Sequence, residues 1–385
     1  MAFNMIKSLS IPIDKKTTFL GNLSTEMIFI QSAYWIFPLF FFVAFVDMWL
    51  MKAILATLFI IIRIVHTYLS MYLCLGHPSY RSIARKQILR FYIVPGLLVG
   101  LMTLFFVLPF DILPWDLEKR FKFYSFVVFP LTYWHYASQH YGVLSIYRAR
   151  AKQSLSHNEI WWEKFFCHFT TGFLITMLTL KNFYDVQFAN ISFKEWLFID
   201  SVPWSQLTVL IVIPLTILMV KRELQYDRPS LFKILYFISI SLMTSVIVID
   251  NLYISWMLID LQHFLVVMGL GGHMLAKTEG NGLAQVTVKT NEDESERQSR
   301  FWKYMIILIF ISITMSLVYY YFDAHGIENK SYGIILGWMP QHPKDLLQVF
   351  FYGLFIAIGI CHYYYDRLAF RFSDKDIGRV AKELI

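Results

Sequence analysis

Ten apolar runs, each long enough to cross the hydrocarbon layer of a bilayer, leave this chain few ways to fold. A spanning helix needs about 20 apolar residues, and it pairs every backbone polar group within itself. Such runs cover 27–46, 49–75, 88–110, 121–147 and 165–180 in the first half. In the second half they cover 204–220, 231–249, 253–275, 301–321 and 347–368. The stretch 231–275 is too long for one crossing, and the polar pair Asp250-Asn251 divides it. The expected fold class is therefore all-α: a polytopic transmembrane helical bundle of about ten spans, forming one integral membrane domain over 1–385. The polar connection 277–300 is expected to be a mobile, solvated loop.

Composition excludes the competing classes. Hydrophobic residues make up 57% and charged residues only 16% of the 385, against about 25% charged in soluble domains, so a soluble globular enzyme is ruled out. The net charge of +7 fits basic loops beside anionic headgroups, and no nucleic-acid partner is expected. Cys74, Cys167 and Cys361 all lie in apolar stretches without redox or zinc spacing. Residues 1–26 are polar and show no cleavage-site pattern, so no signal peptide is expected.

Ten spans put both termini on one side, and the basic residues agree. The N-terminus, the even-numbered loops and the tail carry 25 Lys and Arg; the opposite side carries 8, and Arg63 lies within a span. This bias places both termini in the cytoplasm. With no targeting segment, the bacterial cytoplasmic (inner) membrane is the expected location.

Histidine is the residue of interest inside the spans. Seven of the eleven, His66, His135, His140, His168, His263, His273 and His362, fall in the runs. With the orientation above, six share the cytoplasmic half and His263 lies near the middle. Intramembrane ionisable groups are costly and are functional candidates by default. His135 and Gln139 share a helix face at i, i+4, whereas His135 and His140 point about 140° apart, so only one of the two readily joins a common centre. His362 and Asp366 are i, i+4, Arg63 and His66 are i, i+3, and Asp260, Gln262 and His263 cluster on the eighth span. Neutral imidazole suits Fe, Zn, Cu and Ni, and a mixed His–carboxylate set with open positions suits non-haem Fe(II). The candidate metal ligands are His66, His135, His140, His263 and His362. Asp366 would be a ligand or an orienting carboxylate, Arg63 a partner for Asp366, Asp260 or a substrate headgroup, and Gln139 a supporting polar group. The plainer reading is that single span histidines are interhelical hydrogen-bonding groups; His168 and His273 sit near the interface, where a histidine costs little.

The segments 134–142 and 362–367 resemble uncharacterised bacterial polytopic membrane proteins whose spans carry histidines and which end in a tail like H-Y-x-x-D-x-x-x-R. More distantly, the scattered histidines are similar in layout to the Brp/Blh-type membrane β-carotene dioxygenases, in which histidines from several spans hold one iron. That resemblance implies an iron oxygenase acting on a lipophilic substrate.

The leading expectation is a membrane-embedded, metal-dependent oxidoreductase or oxygenase with Fe(II), a lipid-like substrate and a redox partner. The alternatives are an acyl- or glycosyltransferase using His135 or His140 as general base, a proton-coupled transporter, and a b-type haem protein with paired axial histidines.

Overall fold

The computed structural model describes residues 23–45, 49–109, 111–113, 115–182, 187–188, 191–192, 201–245, 252–276, 294–324, 346–370 and 374–376. Among these the chain is helical, apart from one antiparallel pair of two-residue strands, Gln187–Phe188 and Ile191–Ser192. Twelve α-helices of eight or more residues are described: α1 (Ala33–Phe45), α2 (Trp49–Leu75), α3 (Pro78–Lys86), α4 (Val94–Val107), α5 (Leu117–Arg150), α6 (His157–Cys167), α7 (Ile175–Asn182), α8 (Trp204–Glu223), α9 (Leu231–Ser245), α10 (Leu252–Ala276), α11 (Glu294–Ala324) and α12 (Leu346–Ala369). Wider π turns lead into α4 (Leu89–Ile93) and join α6 to α7 (His168–Leu174).

Four described stretches are long and apolar enough to cross a membrane: Thr57–Leu75, Leu89–Val107, Trp204–Glu223 and Met257–Ala276. The chain is thus all-helical with membrane-spanning character. Helices also lie over the six other apolar runs, although 46 and 246–249 fall outside the described residues. So do the dividing pair Asp250-Asn251, both termini, and residues 277–293 of the connection read as a loop; residues 294–300 form the first turns of α11. Local chemistry sets several boundaries. Ser156 and Glu159 cap α6 reciprocally, and Pro78 opens α3, where its missing N–H costs nothing. His157, which lies outside the ten apolar runs, is the first residue of α6 because that cap starts the helix immediately before it.

The described residues sort into two compact units interleaved in sequence. The first comprises Met1–Phe45, Tyr133–Phe183 and Phe193–Gly269. Here α9 packs on α1, α8 and the 168–174 turn. Tyr147 Oη donates to the Glu26 carboxylate and accepts from Gln31 Nε2 at 3.1 Å. At Gly269 a Cβ would stand 2.7 Å from Phe29 Cβ, so glycine permits that close approach. Lys233 is fully buried between two carboxylates, Glu163 at 2.5 Å and Glu223 at 2.7 Å. Arg148 pairs with Glu163 at 2.7 Å, and Lys233 Nζ donates to Gln153 Oε1 at 2.9 Å. Burial raises the Glu163 carboxyl above its ordinary value, while Lys233 and Arg148 pull it back down.

The second unit comprises Val46–Thr132, Tyr184–Ser192 and Leu270–Ile385. In it α12 packs along α4 and α2, and α11 packs on α2. Gly353 lets α12 meet α4, since a Cβ there would lie 3.0 Å from Phe106 Cβ and 3.2 Å from Thr103 O. The buried Arg120 guanidinium donates to the carbonyls of Phe105, Phe106, Leu113 and Trp115, capping the end of α4.

Candidate metal centre

Two helices of the second unit bring candidate ligand atoms together. α2 contributes His66, and α12 contributes His362 and Asp366, one turn apart on a single face. Four contacts hold α12 in register there. Cys74 Sγ donates to Tyr365 O (3.4 Å) and Tyr80 Oη to Ala369 O (2.6 Å). Tyr365 Oη donates to Phe91 O (2.8 Å) and Tyr364 Oη to Arg90 O (2.9 Å).

The three side chains are almost completely buried, at 0%, 5% and 1% exposure for His66, His362 and Asp366. His66 Nε2 and His362 Nε2 are 3.1 Å apart, and Asp366 Oδ2 lies 3.7 Å from His66 Nε2. His362 Nδ1 is 2.5 Å from Gly359 O. A carbonyl only accepts, so Nδ1 carries the proton and Nε2 presents its lone pair to His66. Metal-bound histidines have this arrangement, the second nitrogen donating to a carbonyl, carboxylate or water.

The separation of the two imidazole nitrogens matches a shared ion. With metal–nitrogen bonds of about 2.1 Å, two imidazoles at right angles place their nitrogens about 3.0 Å apart. Without an ion, the same 3.1 Å is a hydrogen bond from His66 Nε2–H to His362 Nε2. Cation binding would therefore require His66 to carry its proton on Nδ1. Two histidines and a carboxylate are the donor set of non-haem Fe(II) sites that keep open positions.

Arg63 is half-buried on α2, its carbonyl accepting from Thr67 Oγ1 at 2.9 Å, and it forms no ion pair with Asp366 among the described residues. In the first unit, the rings of His135 and His263 meet edge to face with centroids 5.2 Å apart. Tyr136 stacks on His263 at 3.7 Å and donates its hydroxyl to Asp260 Oδ1 at 2.7 Å. Gln262 Nε2 donates to Ser239 Oγ at 2.8 Å. His140 turns to a different partner, with Nδ1 2.7 Å from Tyr236 Oη, as the 140° offset from His135 requires. Both amide atoms of Gln139 are buried without a hydrogen-bond partner among the described residues. His168 is tied to its own helix through Lys164 O at 2.8 Å and meets the Trp134 ring edge to face.

The sequence reading missed Tyr136, Tyr236 and the Glu163–Lys233–Glu223 cluster. The tyrosines had no distinguishing signal in a chain with 23 of them. The cluster had one: two carboxylates lying next to span ends in otherwise basic surroundings.

In comparisons with known proteins, no family model matches the chain, and no curated protein or solved structure matches it.

Proposed function

We propose that this chain is a membrane-embedded, metal-dependent oxidoreductase acting on a lipophilic substrate, with His66, His362 and Asp366 holding the ion. The observation that carries this reading is the buried trio itself, two Nε2 atoms 3.1 Å apart with a carboxylate oxygen at 3.7 Å. The donor set favours ferrous iron, which with open coordination positions supplies oxygen activation. His362 is oriented by Gly359 O and presents a neutral nitrogen. Asp366 offsets the positive charge of the ion in a region where an unpaired charge is costly. Burial of all three keeps water from competing for the site. An apolar chain of this kind admits substrate sideways from the bilayer, and a redox partner returns the electrons. In the same reading the chain crosses the bacterial inner membrane ten times, with both termini in the cytoplasm, as the loop charges favour.

Elemental analysis after purification in mild detergent tests this. About one iron per chain is expected, falling at least about tenfold in His66→Ala and in His362→Ala but not in His140→Ala, with all variants monodisperse. A protein that stays metal-free after anaerobic Fe(II) reconstitution overturns the proposal. So does metal that both alanine variants retain. Zinc in place of iron would keep the site but replace oxidation with hydrolytic or acid–base chemistry.

A further inference from the structure

Between α2 and the span Leu89–Val107 lies the nine-residue helix α3, whose sides differ sharply in character. Tyr80, Ile83 and Ala84 are buried, and Tyr80 Oη is fastened to Ala369 O at 2.6 Å. That anchored side fixes the rotation of the helix, so Arg81, Ser82, Arg85 and Lys86 remain exposed. Arg81 and Arg85 are i, i+4 and share a face. None of the three cations forms an ion pair among the described residues, whereas neighbouring Arg90 is held by Asp374 at 2.9 Å.

Two further observations turn this basic shelf into a site for an amphiphile. A crevice of about 110 Å³ beside α3 is lined by Ser82, Ile83, Lys86, Gln87 and Asp376. Its one carboxylate, on Asp376, accepts from Gln87 Nε2 at 3.3 Å. Immediately after the shelf, Ile88, Leu89, Tyr92 and Ile93 are all exposed, at 55%, 65%, 43% and 46%. Exposed apolar side chains at the start of a spanning stretch are the surface that acyl chains cover, and an amphipathic Tyr belongs at headgroup depth.

We infer that α3 and the 88–93 turn form a binding site for an anionic phospholipid. Lys86, Arg85 and the Ser82 hydroxyl take the phosphate, and the acyl chains run along Ile88, Leu89 and Ile93. Juxtamembrane cations attract anionic headgroups by roughly fivefold in affinity each. A nucleic acid or soluble acidic partner would leave the adjoining apolar strip uncovered; a phospholipid covers both. The site depends on the membrane placement proposed above and is independent of the metal centre, so either can fail without the other.

The test is native mass spectrometry of the full chain in mild detergent, titrated with phosphatidylglycerol or phosphatidylcholine of identical acyl chains. The wild type should retain phosphatidylglycerol at least about tenfold better. Arg81→Gln/Arg85→Gln/Lys86→Gln should abolish that preference, Lys86→Gln alone should weaken it several-fold, and Arg228→Gln on another loop should leave it intact. Equal retention of the two lipids by wild type overturns the inference. A preference that survives the triple substitution does so too, as does displacement of phosphatidylglycerol by excess inorganic phosphate, which would make the crevice a phosphate site and not a lipid site.

Discussion

Neutral imidazole is what burial selects at His77, which shows the cost of charging a buried histidine. It lies two residues beyond the end of α2 and is 1% exposed. Desolvation pushes its pKa down from 6.5 to about 4. Between those two values the unfolded chain binds a proton that the folded chain refuses, so stability rises with pH across that window. The contribution is complete above about pH 6.5 and is lost as pH falls to about 4, amounting to about 3 kcal/mol at most. Melting in detergent from pH 7.5 to 4 should therefore fall less steeply for His77→Gln than for wild type. Parallel curves would contradict a buried, neutral His77. At this scale the candidate site was partly legible. The i, i+4 pairing of His362 with Asp366, and the divergence of His135 from His140, follow from about 100° per residue. That His66 meets His362 does not follow, because helical periodicity says which side chains share a face and nothing about which helix lies opposite. Arg63 was assigned to a carboxylate on charge alone, whereas Asp366 sits against His66 at 3.7 Å.

Helices of the first unit are joined by a buried ion cluster rather than by apolar contact alone. Lys233, in the first turn of α9, bridges Glu163 of α6 and Glu223 of α8, and Arg148 of α5 closes the set with matched charge. Such a cluster adds little net stability over an apolar replacement, but losing one member strands the others in a dry region. Lys233→Met should cost about 3–5 kcal/mol, whereas the double change Lys233→Met/Glu223→Gln, which keeps the Arg148–Glu163 pair, should recover most of that loss. Thermal melting of the purified variants checks both, and a double variant no better than the single one would sink the charge-matching account. The same cluster marks what the sequence could and could not say about elements. Helix positions were readable from apolar run length, since the described helices lie over all ten runs. Splitting of the fifth run into α6, a π turn and α7 was not, because Thr170 Oγ1 and Thr176 Oγ1 bond to carbonyls of their own helix, at Phe166 and Gly172. Such back-bonding leaves no trace in hydropathy. Lys233 was counted as a loop charge for the same reason: position relative to an apolar run does not reveal a partner on another helix.

Orientation belongs to the molecule as a whole, and the ion pairs refine the argument for it. Charges engaged with buried carboxylates or carbonyls cannot face headgroups. Withdrawing Lys233 and Arg148 from the basic side, and the carbonyl-capping Arg120 from the other, leaves the asymmetry of 25 against 8 essentially unchanged. The positive-inside pattern therefore predicts a strict alternation along the chain. Ile112, Ser154, Ser201 and Asp227 are exposed, and they are separated in turn by α5, by α6 with α7, and by α8. Each separation is one expected crossing. The native thiols Cys74, Cys167 and Cys361 are buried, so background labelling by a membrane-impermeant maleimide should be low. In intact cells Ile112→Cys and Ser201→Cys should react, whereas Ser154→Cys and Asp227→Cys should react only after the membrane is opened. Reaction of all four from outside would mean that these helices do not cross. Reversed accessibility would invert the molecule, placing the His66–His362–Asp366 level in the outer half of the bilayer. Matching labels at Ile112 and Ser154 would show that α5 fails to cross, and every later loop would then change sides.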